Sequence, residues 1–525
     1  MSGINAGVLH QAHPLTKELI ENLEKDVIEN RDAYVYLDEN AELCFSIPQG
    51  VAGIKDLAWD HAYEISSNGT KFVKKAYKKN GLVEFYLEKS WEKHDINGPW
   101  VEEGEGELGE PVYYSSLARA VSDTTATGDS DAVNAEVNAY TNTETGRRTL
   151  KLQKDINNIT ETVNIDENLT LDLNGHQITT TITPVIRTTG SDIIIKGVGG
   201  GITVNAPAKQ KGTVLSAMGG QLTVNGGTYT ANTAGAGTSS SQTQVLYAYT
   251  DTTLNVNGAN VVANDTNNGS VVGVNGAKDS SVLNLTDCNI MATSGTSLEN
   301  IGVNAKGNAT LRNCSVVGAA NYTANAAGNA YASNSRGIHS YGQLNLYNCY
   351  VWGSHAGITA RGSTYVDGGV YEGYGHGAFY LCGSDTTNYF YNATLNWAPM
   401  WEGTVSDVVA GTNGAGFYIG GGADNVKAYF DNCEFNTNAG NGEIYKEFIV
   451  PLYGIVLRTI DGETNNQVYI SNSYVEMATG QMFRGNGTSG HLVYNGVGND
   501  WSKAATIHKG TADSYITTNV SYAKV

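Results

Sequence analysis

Several features that would place this 525-residue chain in a common class are scarce or missing. Proline contributes only 8 residues, and the 63 glycines show no three-residue period, which excludes a collagen triple helix. No run approaches the ~20 apolar residues of a membrane-spanning helix. The first residues, MSGINAG, lack the basic and apolar regions of a secretory signal, so we expect a chain made in a cytoplasm without a signal peptide. Hydrophobic residues reach 40 %, enough for a core, so wholesale disorder is excluded.

Basic residues are also scarce, with 32 Lys and Arg against 52 Asp and Glu and a formal charge of −20. An acidic chain is repelled by phosphate backbones and anionic lipid, so we expect no nucleic-acid partner and no membrane insertion. The glycine runs contain no phosphate-binding G-x-G-x-x-G motif ahead of a helix. We expect no cofactor.

Charge density divides the chain near residue 110. The first 110 residues carry 32 charged side chains and the remaining 415 carry 52, and an acidic stretch at 102–111 is interpreted as a solvated hinge. The first part is predicted to be a small α+β domain, because an amphipathic helical stripe precedes short strand-like runs. The helix is predicted from Thr16 to Asn30, and the strands at Tyr34–Leu37, Leu43–Ile47 and Leu82–Leu87.

A ten-residue pattern recurs nine times from Leu222 onward. Copies include LTVNGGTYTA from Leu222, LNLYNCYVWG from Leu344 and YFYNATLNWA from Tyr389, and the starts are 20 to 40 residues apart. Mostly apolar residues at positions 1, 3 and 8 predict two short strands with one face turned inward. Position 5 is mostly Gly, Asn or Asp, which tolerate positive φ, so a bend is predicted between the strands. The period is that of one solenoid coil.

Position 6 is small in every copy and holds four of the six cysteines: Cys288, Cys314, Cys349 and Cys433. A bend that closes on a narrow interior needs a small side chain at the same height in each coil, and buried cysteine serves as a compact apolar residue. We therefore predict an inner stack of free thiols. Disulfides between adjacent in-register strands would be strained, and a cytoplasmic origin keeps thiols reduced.

A third strand precedes most copies, as in RGIHSYG from Arg336 and AGITARG from Ala356. Three short strands per coil around a stacked interior predict a mainly β chain, a parallel β-helix solenoid behind a small N-terminal α+β adaptor domain. The predicted divisions are 1–110 for the adaptor, 111–149 for a linker and the start of the solenoid, 150–500 for the β-helix and 501–525 for a C-terminal cap.

The repeats, together with the segment NLTLDLNGHQI from Asn168, resemble the right-handed, pectin-lyase-like β-helix proteins over about residues 150–490. An adaptor without a signal peptide ahead of such a solenoid resembles a bacteriophage tail spike or other virion fibre. The resemblance implies a right-handed coil and a homotrimer in the virion. It also implies attachment to other virion proteins through residues 1–110 and binding of host cell-surface polysaccharide.

The outward positions change character along the repeats. Position 2 is polar in the first five copies and aromatic in the last four, which hold Tyr365, Phe390, Tyr429 and Tyr469. Position 9 in three successive copies holds Trp352, Glu372 and Trp397. Adjacent coils are ~4.8 Å apart, so the two indoles are expected to flank the carboxylate. Such a patch suits carbohydrate, but aromatic residues are also enriched at subunit interfaces. Subunit packing is the favoured role and glycan contact the second; both can hold together, and a face with neither role stays an alternative.

Candidate catalytic residues are less specific. A glycoside hydrolase needs two carboxylates, for which Asp367, Glu372 and Asp431 are candidates, with Glu402 nearby. A lyase needs a base and a cation, for which the chain offers Arg336, His339, Arg361 and His376, although surface hydrogen bonding is the favoured explanation for these four. The clustered aspartates and arginine base of β-helix lyases are not evident. We therefore expect no metal site, and the sequence favours a binding protein over an enzyme.

The leading functional hypothesis is a homotrimeric virion protein whose solenoid binds host glycan. Two alternatives stay open. One is a capsid head fibre or decoration protein without enzymatic activity, and the other is a polysaccharide depolymerase.

Overall fold

The structure of the chain is a computed structural model. It describes five strands within residues 34–87 and the chain from 109 to 518, apart from residues 124, 144, 158, 236–241, 268, 295–298, 321–334, 374–375, 398–413, 421–422, 437–451, 459–464, 477–480, 487–490, 503–505 and 510–515. The chain divides into two compact units, Met1–Glu105 and Gly106–Val525. This division falls a few residues before the predicted boundary at 110.

The described part of the first unit is an antiparallel five-stranded sheet. Its strands, in order across the sheet, are Tyr34–Leu37, Leu43–Pro48, Leu82–Leu87, Thr70–Lys79 and Ala62–Ser67. The three predicted strands are therefore present, one of them a residue longer at its end. The helix predicted from Thr16 to Asn30 lies outside the described residues.

Residues 111–149, for which the sequence predicted a linker and the start of the solenoid, contain regular structure. The strand Val112–Tyr114 pairs antiparallel with Val137–Thr141, which pairs in the same way with Arg148–Leu152. The helix Leu117–Ser122 begins where the Ser116 hydroxyl accepts a hydrogen bond from the Arg119 N–H at 3.2 Å. Its apolar face joins the main hydrophobic core, so the segment packs onto the first coil.

The rest of the second unit is built from three series of short parallel strands. The first series is Leu169–Asp172, Asp192–Lys196, Gly220–Asn225, Thr252–Asn257, Val282–Thr286, Asn308–Arg312, Thr387–Tyr391, Lys427–Asp431, Asn466–Ser471, His491–Asn495 and Ile516–Thr518. The second series is Gln177–Thr180, Gly201–Asn205, Thr228–Thr233, Asn260–Asp265, Asn289–Ser294, Ser315–Ala320, Thr394–Trp397, Glu434–Asn436 and Tyr474–Glu476. Two longer strands, Leu344–Gly353 and Thr364–Gly373, belong to both series because they run through the bend.

The third series forms a separate 13-stranded sheet. Its strands are Val163–Ile165, Ile186–Thr188, Thr213–Ala217, Thr243–Ala248, Val271–Gly276, Asn300–Ala305, Arg336–Ser340, Ala356–Ala360, Phe379–Leu381, Gly414–Ile419, Leu452–Arg458, Gln481–Asn486 and Thr506–Lys509. Two strands within the predicted cap, Thr506–Lys509 and Ile516–Thr518, pair in parallel with the preceding coil and so extend the sheets.

The bend between the first and second series is restricted to glycine, asparagine and aspartate in the coils that follow. A residue with positive φ occupies it in successive coils, as predicted for position 5: Gly226, Gly258, Asp287, Asn313, Asn348, Gly368, Asn432 and Asn472. At Gly226, a Cβ atom would lie 2.5 Å from Cγ2 of Val198 in the coil below. Both the backbone conformation and the close approach therefore demand glycine there.

Inward side chains from the three series form one continuous core. The inward residues of the first series are fully buried; they are aliphatic in the early coils (Val224, Val256, Leu285), aromatic at Phe390 and Phe430, and aliphatic again at Ile470. The unit Gly106–Val525 is therefore mainly β and solenoid-like, with long parallel sheets of the β-helix kind. No helix within the described residues has the length and apolarity needed to span a membrane.

Candidate functional site

The four thiols predicted at position 6 lie on the inner side of the bend. Cys288, Cys314, Cys349 and Cys433 are free and at most 2 % exposed. Burial, followed by a hydrogen bond with Cys288, raises the pKa of the Cys314 thiol, and burial raises that of Cys433 to about 12. Burial makes all four thiols small packing groups, and the raised pKa of Cys314 and Cys433 keeps those two protonated.

One coil is offset by a residue from the predicted alignment. Phe390 pairs with Val366 below it and Phe430 above it, and it is fully buried. The prediction that placed Phe390 on the outer face is therefore wrong, and Tyr389 takes the outward position. A one-residue slip moves every side chain of a strand to the opposite face, so the error also affects the other outward residues of this copy.

The sequence contained a signal for the correct alignment. Asn392 has a φ of +54°, like the bend residues of other coils, whereas the predicted alignment put Ala393 at the bend. With the shift, Leu395 fills the inward position that the predicted alignment gave to the polar Asn396. Two irregularities in the repeat thus had a single cause.

A ladder of four half-buried tyrosines, Tyr389, Tyr429, Tyr469 and Tyr494, runs along the outer face of the first series. Successive ring centroids are 5.2, 4.7 and 4.3 Å apart, with interplanar angles of 17°, 8° and 6°. Burial, then the neighbouring phenols, raises the pKa of Tyr469 to about 12. Stacked rings cover each other's faces, so the ladder presents ring edges and hydroxyl groups.

The tyrosine ladder differs at two residues from the aromatic column predicted at position 2: Tyr389 stands in place of Phe390, and Tyr494 is added. Tyr429 and Tyr469 are members as predicted, and Tyr365 lies in the same column, its ring 5.8 Å from both Tyr347 and Tyr391. Tyr494 was missed, because the strand His491–Asn495 lacks the rest of the decapeptide pattern and was not counted as a copy.

The two tryptophans do not form an exposed pair around the carboxylate. Trp352 lies opposite Glu372 as predicted, but Trp397 lies opposite Gly373, and the neighbour of Glu372 in the next coil is Asn396. Both indoles are buried, with 0 % and 2 % of their surface exposed. The one-residue offset explains the misplacement of Trp397.

Glu372 nevertheless lies in a polar group that we call the Glu372 cluster: Tyr350, Trp352, Glu372 and Asn396. The carboxylate accepts hydrogen bonds from the Tyr350 hydroxyl at 3.0 Å and from the Asn396 amide at 2.8 Å. Two other buried atoms have no hydrogen-bond partner, the indole Nε1 of Trp352 and the carbonyl Oδ1 of Asn396. The unpartnered indole and amide atoms lie beneath the surface, whereas the Glu372 carboxylate and the Tyr350 ring are partly exposed and can contact a ligand.

The other candidate carboxylates bond to side chains at the bend. Asp367 accepts a hydrogen bond from the Asn392 amide at 2.7 Å, and Asp431 accepts one from the Asn472 amide at 2.7 Å. Each carboxylate thus ties its coil to the next one, and this contact gives it a structural role. Glu402 lies outside the described residues.

The four residues considered for a lyase lie together on the outer face of the third series. Arg336 and His339 share the strand Arg336–Ser340, Arg361 follows the strand of the next coil, and His376 precedes the strand after that. Arg336 donates to Glu299 at 2.6 Å and to the Thr359 hydroxyl at 3.0 Å.

Aromatic residues and a further histidine, none of them singled out from the sequence, extend this group. His355 Nε2 and His376 Nδ1 are 3.1 Å apart, and the His376 ring stacks on Tyr380 at 4.4 Å and meets Tyr418 edge-on at 5.0 Å. Burial, followed by the charge of His376, lowers the pKa of His355 to about 3. Only the parallel register reveals this grouping, because residues some 20 positions apart in sequence become neighbours.

Within the described residues, no three or more His, Cys, Asp or Glu side chains are arranged to hold a metal ion. A scan against models of protein families, a search of curated proteins and a search of solved structures each give no match.

Proposed function

We propose that this chain is a right-handed parallel β-helix protein of the bacteriophage tail-spike or virion-fibre type. It attaches to the particle through residues 1–110 and binds host surface polysaccharide with its solenoid. The division into two compact units supports a separate attachment module, and the long stack of parallel coils supports the β-helix assignment.

The Glu372 cluster is the observation that carries the carbohydrate proposal. Glu372 and Tyr350 are partly exposed, and a sugar hydroxyl can donate a hydrogen bond to the Tyr350 oxygen. The neighbouring carboxylate accepts from a further hydroxyl, and the Tyr350 ring supplies an apolar surface beside it. An extended glycan is the ligand class that offers all of these groups.

Binding of the purified full chain to host surface polysaccharide tests this assignment. Glu372→Gln keeps the shape of the side chain but removes its charge, and we expect affinity to fall about tenfold, the usual value of a charge-assisted hydrogen bond. Glu434→Gln is a matched control, because Glu434 likewise accepts from a tyrosine, Tyr474 at 2.9 Å, on the same strand series. Equal effects of the two variants, or none from Glu372→Gln, would contradict the assignment.

The virion assignment has its own test. Antibody labelling of intact particles under the electron microscope should place the protein on the tail. Labelling of the head would favour the decoration-protein alternative, and a loss of polysaccharide viscosity on incubation would favour the depolymerase.

The homotrimer is part of the same proposal. A trimer of solenoids must bury an outer face of each, and the tyrosine ladder is the aromatic face available for it. Sedimentation of the purified chain should give three times the monomer mass, and Tyr429→Ser should reduce the trimer fraction. A monomer at micromolar concentration would overturn this part of the proposal without affecting glycan binding.

A further inference from the structure

Positive charge is concentrated on one part of the third series, although the chain carries a net charge of −20. Arg336 and His339 lie on one coil and Arg361 on the next. The described strands of this region, Asn300–Ala305, Arg336–Ser340, Ala356–Ala360 and Phe379–Leu381, contain no acidic residue.

The two guanidinium groups are held in different ways. Arg336 is fixed by the carboxylate of Glu299 and the hydroxyl of Thr359. Arg361 is exposed, and its guanidinium lies over the ring of Tyr341, 5.1 Å from the centroid. No carboxylate among the described residues pairs with Arg361, so one full positive charge is oriented by an aromatic ring and left without a counter-ion.

His339 lies between these two charges. Its ring is 4.5 Å from that of Tyr341, it is only 6 % exposed, and its Nε2 has no hydrogen-bond partner. Burial, followed by the charges of Arg336 and Arg361, lowers the pKa of His339 to about 3. In the coil below, Asn304 continues a ladder by donating to Asn275 at 2.7 Å, and the ladder stops at His339.

We propose that Arg361, His339 and Arg336 form a binding site for an oxyanion, a carboxylate, phosphate or sulfate group carried by a ligand. The planar fork of Arg361 suits two oxygens of such a group. The anion would also supply a counter-charge for Arg361 and reduce the repulsion between the two guanidinium groups, beside which the neutral His339 ring lies. The site lies on a different sheet from the Glu372 cluster and does not depend on the proposed function.

Calorimetric titration of the full chain at low salt tests the site, with inorganic phosphate, sulfate and glucuronate as separate probes. We expect saturable binding of at least one probe and about tenfold weaker binding by Arg361→Gln. Arg187→Gln is the matched control, because Arg187 is exposed on an earlier coil of the same sheet and its loss changes the net charge equally. The preferred probe identifies the kind of oxyanion.

The proposal fails if none of the three probes saturates, or if Arg187→Gln weakens binding as much as Arg361→Gln does. His339→Phe supplies a second variant that keeps the ring contact with Tyr341 and removes both ring nitrogens. We expect a loss of about threefold, with an unchanged melting temperature at neutral pH. Full affinity in this variant would remove His339 from the site.

Discussion

The early coils (169–320) and the late coils (336–495) share a backbone but differ in what joins neighbouring coils. In the early coils, side-chain amides link one coil to the next, as between Asn257 and Asn225 at 2.9 Å. In the late coils, amide links persist at the bend and aromatic rings join them, with Phe390 stacked on Phe430 at 4.6 Å inside and the tyrosine ladder outside. The shared register shows that the bend and its small inner residues align the coils, while the side chains on either face are free to vary.

The largest expected effect on stability distinguishes the inner face of the strand Thr387–Tyr391 from its outer face. Phe390→Ala should lower the free energy of unfolding by about 3–5 kcal/mol, because it empties a fully buried site. The adjacent Tyr389→Ala, on the outer face, should cost only about 1 kcal/mol. Denaturant unfolding of both variants checks the register, and a larger loss from Tyr389→Ala would restore the alignment predicted from sequence.

Acid should act on the late coils first. His339 and His355 have a pKa near 3 in the folded chain, against 6.5 for ordinary histidine, and they face Arg336, Arg361 and His376. As pH falls, these histidines are therefore protonated in the unfolded chain at a higher pH than in the folded chain. The contribution of the neutral histidines to the free energy of unfolding is fully present above pH 6.5. It is lost as pH falls towards 3, by about 1.4 kcal/mol per pH unit for each histidine.

Hydrogen exchange at pH 7 and pH 5 measures this difference. We expect faster exchange at pH 5 in the strands around His339 and His355, relative to the early coils and after correction for intrinsic rates. The double variant His339→Phe/His355→Phe should remove that regional difference. Uniform acid loss along the stack would show that these histidines do not control it.

A smaller effect is expected at the bend. Gly258 occupies the bend of one early coil with φ +59°, whereas Asn432 occupies that of a late coil with φ +55° and also donates to Asn392 at 2.8 Å. Asn432→Ala should cost about 2–3 kcal/mol, for backbone strain and the lost bond, and Asn432→Gly only about 1 kcal/mol. Equal melting temperatures for the two variants would mean that the left-handed conformation carries no cost.

The smallest effect concerns the amide links of the early coils. Asn257→Ala should lower the free energy of unfolding by about 0.5–1.5 kcal/mol, because one partly buried hydrogen bond is lost. Tyr429→Ala, in the late ladder, loses two ring contacts and should cost about 1–3 kcal/mol. If Asn257→Ala lowered the melting temperature more than Tyr429→Ala did, the amide links would contribute more to stability than the tyrosine ladder.

Sequence reasoning succeeded where the repeat constrains each residue separately. Inward positions such as Val256, the bend glycines and the buried cysteines could be predicted, because a narrow interior accepts few side chains. It failed at Tyr389, where two adjacent aromatic residues made either register compatible with an apolar pattern. Asn392 at the bend and Leu395 at the inward position distinguish the correct register from the predicted one.

The candidate sites depended more heavily on register. A single-residue slip misplaced Trp397, and the Glu372 cluster became visible only when Asn396 was placed beside the carboxylate. The grouping of Arg336 with Arg361 and His355 with His376 spans segments of irregular length between coils. No local motif records which residues those segments bring together.

Because the small inner residue at the bend recurs once per coil, the molecule can change length only in whole coils. Adding or removing one coil would change the length of the stack of coils by about 4.8 Å and would leave the other contacts between coils intact. A partial coil would instead turn an inward column to the outside. Variants of this protein with a longer or shorter stack are therefore expected to differ by complete repeats, so that the length of the stack is fixed by the number of coils.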